Sequence, residues 1–202
     1  MSESRSADIP AALLLAAGAD RFGEQRGLGI STIAFKVTMP NPSDLFILEN
    51  TFLAKGGPAR HLHYDQEEWF YTVDGEFIFE VGQERLTLQP GDSLLAPRQV
   101  PHVWAFVGEA RGRILVAFLP AGNMEAFFRE VTRANAMPPQ DPALWRAHGM
   151  ELLGPPLRSS KGGGNDSHCA RLGQIVSRTP SRHLRRKRTN VSPRLLENEK
   201  GG

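Results

Sequence analysis

The sequence predicts an all-β domain, a sandwich or barrel of many short strands with one or two short helices near its C-terminal end. Three observations predict it. Between positions 31 and 119 apolar and polar residues alternate with a period of two, the pattern of strands that bury one face. Gly and Pro, 20 and 15 of the 202 residues, punctuate the chain at the close, regular spacing that short strands require. Past Pro120 the period changes to that of a helix, and only briefly.

Each element follows in order. Ile33, Phe35, Val37 and Met39 alternate with Ala34, Lys36 and Thr38, and Asn41-Pro42 breaks the run. Positions 45–53 form the next apolar run. Positions 68–73 form another, closed by Asp74-Gly75, a dipeptide whose tolerance of positive φ suits a hairpin turn. Phe77, Phe79 and Val81 alternate with Ile78 and Glu80; Gly82-Gln83 turns the chain; Leu86 and Leu88 alternate in the partner strand. Pro90-Gly91-Asp92 is a turn, 93–96 a short strand and 97–101 a bend. Positions 103–107 and 114–119 complete the set. Asn123 then stands as a helix N-cap. Met124, Phe127, Phe128 and Val131 fall at i, i+3, i+4 and i+7, one face of a helix that Met137-Pro138-Pro139 ends. Asp141-Pro142 opens a second short helix, with Pro at the first helical position. Both helices are expected to pack on the outside of the barrel. Gly149 and Gly154-Pro155-Pro156 bound a last apolar piece.

Charge divides the chain. The net charge is +2, yet 11 of the 24 basic residues and three of the 22 acidic ones lie from Arg158 onward. The body is therefore acidic and the excess positive charge belongs to positions 158–202. That stretch has no aromatic residue, and it is expected to be a disordered basic tail because it cannot bury enough apolar area to offset its ordering entropy. Its Arg185-Arg186-Lys187-Arg188 run attracts phosphate without reading bases, so nucleic acid is not an expected partner. A single cysteine, Cys169, precludes an intrachain disulfide. The longest apolar stretch, 9–19, is about half the ~20 residues a membrane helix needs, and Arg5 is outnumbered by Glu3 and Asp8 where a signal peptide would be positive. A protein without a membrane partner, located in the cytoplasm, is expected. The organisation expected is an extension (1–12), one domain (13–157) and the tail (158–202). P-loop, dinucleotide-binding and Gly-x-Ser-x-Gly motifs are missing from the sequence.

The histidines carry the chemistry. Three of the six lie in the strand-rich region: His61, His63 and His102. Two residues apart on a strand, His61 and His63 share a side, with anchors roughly 6.5 to 7 Å apart, so both rings can reach one ion. Glu68 opens the next apolar run, where a short bend can return its carboxylate toward the pair; Glu67 takes its place if the bend is tighter. His102 shares its face with Trp104 and Phe106. Three imidazoles and a carboxylate suit one divalent ion of Fe, Mn, Co, Ni, Cu or Zn, and not Ca or Mg. Phe52, Phe70, Trp104, Phe106 and Phe35 are the candidate pocket lining, an apolar aromatic wall suited to a small aromatic ligand, although such rings also fill any barrel interior.

Residues 56–106 resemble the two signature motifs of the cupin superfamily. In the first, His61-x-His63 is followed by four residues, Glu68, six residues and Gly75; in the second, Gly91, Pro97 and His102 fall in register. Glu68-Trp69-Phe70-Tyr71 through Gly75-Glu76, and the ending 150–157, look like bacterial single-domain quercetinase-like cupins, and the likeness covers about 13–157. The resemblance implies a double-stranded β-helix, or jelly-roll barrel. It also implies a transition metal held by His61, His63, Glu68 and His102, Glu68 as general base, dioxygenase chemistry on a small aromatic or hydroxylated substrate, and a homodimer. Two alternatives stay open: a metal-dependent isomerase, lyase or hydrolase that uses no dioxygen, and a cupin that binds a small ligand without turnover. The chain departs from the family pattern in three places. Gly56 and Gly57 are too close to His61, Gln99 stands where the family has a glycine, and Phe106 stands where it has an asparagine.

Overall fold

The computed structural model describes residues 12–41 and 43–157, and the expectations for positions 1–11 and 158–202 lie outside the described residues. Eleven strands run through this region: β1 (Arg26–Gly27), β2 (Ser31–Val37), β3 (Phe46–Phe52), β4 (Ala59–His63), β5 (Glu67–Asp74), β6 (Phe77–Val81), β7 (Glu84–Leu88), β8 (Ser93–Ala96), β9 (His102–Phe106), β10 (Gly112–Leu119) and β11 (Met150–Pro156). Two helices, α1 (Met124–Val131) and α2 (Pro142–Ala147), lie between β10 and β11. The strands form two antiparallel sheets, one in the order β1-β2-β3-β10-β5-β8 and the other β11-β4-β9-β6-β7. Strands distant in sequence sit side by side, β3 with β10 and β4 with β9, as the crossovers of a jelly roll demand.

The period of two becomes a set of inward rows. On β3 Phe46, Leu48, Asn50 and Phe52 are buried while the residues between them are half-exposed. Across the six-stranded sheet, register aligns Phe46, Phe118, Glu68 and Ala96 in one inward row, and Leu48, Val116 and Phe70 in the next. Aromatic contacts fasten the two sheets: Phe52 meets Phe77 and Trp104 edge-on at 5.7 and 5.5 Å, and Phe70 meets Phe79 at 4.8 Å. Each such buried ring contributes about 1.5–3 kcal/mol relative to exposure. Glu68 is the anomaly in its row, because a carboxylate placed among phenyl rings is costly unless something pairs with it.

The ends of the elements have local causes. Asp141 caps α2 as its sequence predicts, its side chain accepting from the Ala143 amide at 2.9 Å with Pro142 next in line. Asn123 precedes α1, but its side chain does not cap. Its backbone is already turned (φ −98°, ψ 15°), so its carbonyl accepts the Phe127 amide at 2.9 Å while the side chain makes no capping bond. The apolar piece near the C-terminal end is β11, an edge strand, where Pro155 and Pro156 cost no ladder bonds on the open side. Ahead of β2, Asp20 accepts from the amides of Phe22 and Phe35 at 2.8 and 2.7 Å and pairs with the buried Arg26, whose guanidinium lies 4.0 Å over the Phe35 ring. Among the described residues no helix is long and apolar enough to cross a membrane.

Candidate metal centre

Two sheets supply the centre. Register sets His61 on β4 directly opposite His102 on β9, and His63 follows two residues on, on the same face of the five-stranded sheet. A three-residue corner, 64–66, then carries the chain across to the six-stranded sheet, where Glu68 is the second residue of β5 and points inward. Glu67 points out and pairs with Arg98 at 2.7 Å, which removes it as the alternative ligand. Three nitrogens from one sheet thus meet one oxygen from the other, and all four residues are buried.

Glu68 Oε2 lies 2.9 Å from His102 Nε2, 3.2 Å from His63 Nε2 and 3.8 Å from His61 Nε2. The four ligand atoms lie within 4.8 Å of one another. Two donors about 2.1 Å from a shared ion and at right angles lie about 3.0 Å apart, so these spacings fit a first-row transition metal. The remaining ring nitrogens are held from behind. His61 Nδ1 faces the Ala59 carbonyl at 2.7 Å, His102 Nδ1 the Val100 carbonyl at 3.0 Å and His63 Nδ1 the Gln66 Oε1 at 3.3 Å. An acceptor behind each ring keeps its N–H on Nδ1 and leaves the Nε2 lone pair for the centre.

The electrostatics agree with that geometry. Burial alone would raise the Glu68 carboxyl, but hydrogen bonds from His102 and His63 and their charge hold it well below the usual carboxylate range. Burial opposes a charge on His102, yet the bond to Glu68 and its negative charge outweigh it and raise that imidazole. His61 is pushed well below its ordinary value by burial and by the two neighbouring imidazoles. Glu68 is thus held as a carboxylate, and a divalent cation can take the place of the proton that this carboxylate favours on His102.

A cavity of about 50 Å³ opens beside the centre. Phe52 and Trp104 line it. Phe70 and Phe106, expected to do the same, are barrel core, as is Phe35. Phe70 is packed between Phe79 and Trp104, and Phe106 is nested against Gly108 and Gly112, where added β-carbons would collide with its ring. Met124 and Phe127 from α1 and Trp145 from α2 line the cavity instead, with the Trp145 ring 5.1 Å from His61. The two helices roof the site as well as packing on the barrel. Their apolar spacing was visible in the sequence, but nothing in it separates a face over a pocket from a face over a core. Gln99, at the family's glycine position, adopts the left-handed conformation a glycine would (φ 62°), and its amide donates to the His63 carbonyl at 2.7 Å. The bend before His102 is thereby tied to the strand bearing His63.

Residues 51–118 match the family model described as Cupin domain. An uncharacterized protein of Methanocaldococcus jannaschii is 28% identical over 65 residues, 32% of this chain and 52% of its own length, so the chain spans about half of the curated relative it matches. Among solved structures, KdgF from a Halomonas species is 22% identical, covering 47% of this chain and 84% of that one with a TM-score of 0.42. A sugar phosphate isomerase from a cupin superfamily, of Silicibacter pomeroyi, is 18% identical over 47% of this chain and 69% of its own, TM-score 0.42. An RmlC-like cupin from Shewanella frigidimarina is 23% identical over 47% and 81%, TM-score 0.37.

Proposed function

We propose, from the premise that the chain carries a cupin domain, that it binds one divalent transition metal through His61, His63, Glu68 and His102 and acts as a dioxygenase on a small hydroxylated aromatic substrate. The observation that carries the metal reading is the meeting of three Nε2 atoms and one carboxylate oxygen, each ring braced from behind, beside an apolar cavity. A metal held by His61, His63, Glu68 and His102 would supply Lewis acidity toward a substrate hydroxyl and redox chemistry toward dioxygen. Glu68, the one carboxylate at the centre, would be the group placed to take the proton of a substrate hydroxyl bound there. Phe127, Trp145 and Trp104 exclude water from the reacting ring. Asn50, 5% exposed on the cavity wall, has an Oδ1 with no partner among the described residues and offers an acceptor to a second substrate hydroxyl.

Size narrows the substrate. An apolar cavity of about 150 Å³ accepts benzene, and this one is about 50 Å³. A one-ring substrate therefore enters only if the roof moves, and a flavonol requires a larger displacement still. The test is oxygen uptake by Fe(II)-loaded protein with catechol and with quercetin. Uptake with catechol that Glu68→Gln abolishes while retaining metal supports the reading. Full uptake in Glu68→Gln, or substrate consumed without oxygen, overturns the dioxygenase assignment.

We also propose a homodimer. Ile47, Ala117, Trp69 and Leu95 form one outward row across four strands of the larger sheet, with Trp69 38% and Leu95 52% exposed. A contiguous apolar belt of this kind favours association, and a second copy of the chain offers the matching belt.

A further inference from the structure

Gln66 lies in the three-residue corner between β4 and β5 and is 4% exposed. Its side chain uses both ends. Oε1 faces His63 Nδ1 at 3.3 Å, and Nε2 donates to the Ala121 carbonyl at 3.1 Å. Ala121 begins the turn that starts α1, and the same carbonyl accepts the Met124 amide at 3.1 Å. The packing around the amide is tight on the roof side. Gly122 has φ 48°, and a β-carbon there would overlap the Gln66 amide. On its other side is Gly149, just past α2, where a β-carbon would lie 3.6 Å from Oε1. The Gly149 carbonyl in turn accepts the Tyr64 amide at 3.0 Å, so the loop leaving α2 is bound to the same corner.

His61 and His102 are braced by backbone carbonyls of their own chain segments, but His63 alone is braced by a side chain that also grips the roof. We propose that Gln66 is a positioning residue that couples the metal centre to the roof: its Oε1 sets His63 with Nε2 facing the ion, and its amide nitrogen holds the α1 turn closed over the cavity. The proposal rests on the metal reading above for its first half and stands apart from it for its second. Movement of His63 on loading the centre is passed through one planar amide to the turn beneath Met124 and Phe127, both of which wall the cavity. Loading and closure are then linked in both directions.

Two substitutions separate the two ends. Gln66→Glu keeps an acceptor for His63 Nδ1–H and loses the donor to Ala121; Gln66→Met loses both. The measurements are Co(II) affinity by optical titration and amide hydrogen exchange across 121–131, with and without Co(II). Gln66→Met is expected to lower Co(II) affinity about 10–100-fold. Gln66→Glu should hold it within about threefold of wild type, a rescue that a merely structural role does not give. Exchange at the start of α1 should quicken in both variants, and the extra protection conferred by Co(II) in the wild type should be lost in both. Should Gln66→Glu fail to fold, Gly122→Ala displaces the same amide from the roof side and is expected to quicken exchange there. Wild-type affinity in Gln66→Met, equal weakening in Gln66→Glu and Gln66→Met, or unchanged exchange in every variant overturns the proposal. Failure of the wild type to bind Co(II) overturns the metal reading and the coupling with it, while exchange in the ion-free protein still decides whether Gln66 holds the roof.

Discussion

Glu68 shows how a single residue can be wrong for its element and right for the molecule. Its row neighbours are Phe118 and Ala96, and only the three imidazoles opposite make its charge tolerable. The sequence reveals both Glu68, with six residues between it and Gly75, and His102, 34 residues further along the chain, but not the strand register that brings the two side chains to 2.9 Å. Gln99 is the reverse case. It stands where the family pattern has a glycine, and the left-handed backbone is retained with a side chain on it. Because an L-residue is disfavoured there by about 1–2 kcal/mol, Gln99→Gly should raise stability by about 0.5–1 kcal/mol in urea unfolding, and a loss of stability would show that its hydrogen bonds outweigh the strain. Asp20 gives a pH-dependent case. Burial would raise its carboxyl, but three backbone amides and Arg26 hold it below the ordinary value. A depressed carboxyl contributes stability that is present above the unfolded value of about 4 and fades as the pH falls through the lower folded value. Asp20→Asn should therefore cost about 2 kcal/mol at pH 7, and the gap to wild type should narrow in denaturant curves taken below pH 4.

At the scale of elements, the strands were the legible part. Antiparallel strands with one buried face write their period directly into the sequence, and 46–52, 77–81 and 112–119 read almost to their ends. The two-residue β1 left too little pattern to read, and β11 is interrupted by Gly154 and two prolines that only an edge position permits. The roof was half legible: α1 and α2 could be placed, but their burial of Phe127 against Trp145 over the centre depends on the chain between them turning back, which no local signal encodes. Phe127→Ala should cost about 3 kcal/mol and open the cavity, raising the quenching of Trp145 fluorescence by acrylamide. Entry to β4 is as constrained. A β-carbon on Gly57 would strike the Trp104 carbonyl, and backbone there cannot give way as a flexible side chain could. Gly57→Ala should lower stability by about 3 kcal/mol or more, read as a fall in Tm.

For the molecule as a whole, the outward belt of Ile47, Ala117, Trp69 and Leu95 bears on assembly. Light scattering should give a dimer for the full chain and a monomer for Trp69→Lys with Leu95→Lys; a monomeric wild type would remove the belt from the account. The corner at 64–66 has a further consequence. Because it sends its flanking ligands to opposite sheets, neither sheet by itself owns a complete coordination set. An unfolded or half-assembled chain should hold ions feebly, so mass action drives the population toward the finished barrel, by about 2.7 kcal/mol when free ion stands at a hundred times its dissociation constant. Zinc added before a thermal melt should shift the midpoint upward in proportion to the logarithm of its concentration. The centre would then work as a clasp, and the amount of bound zinc would report what fraction of a preparation had closed its two halves together.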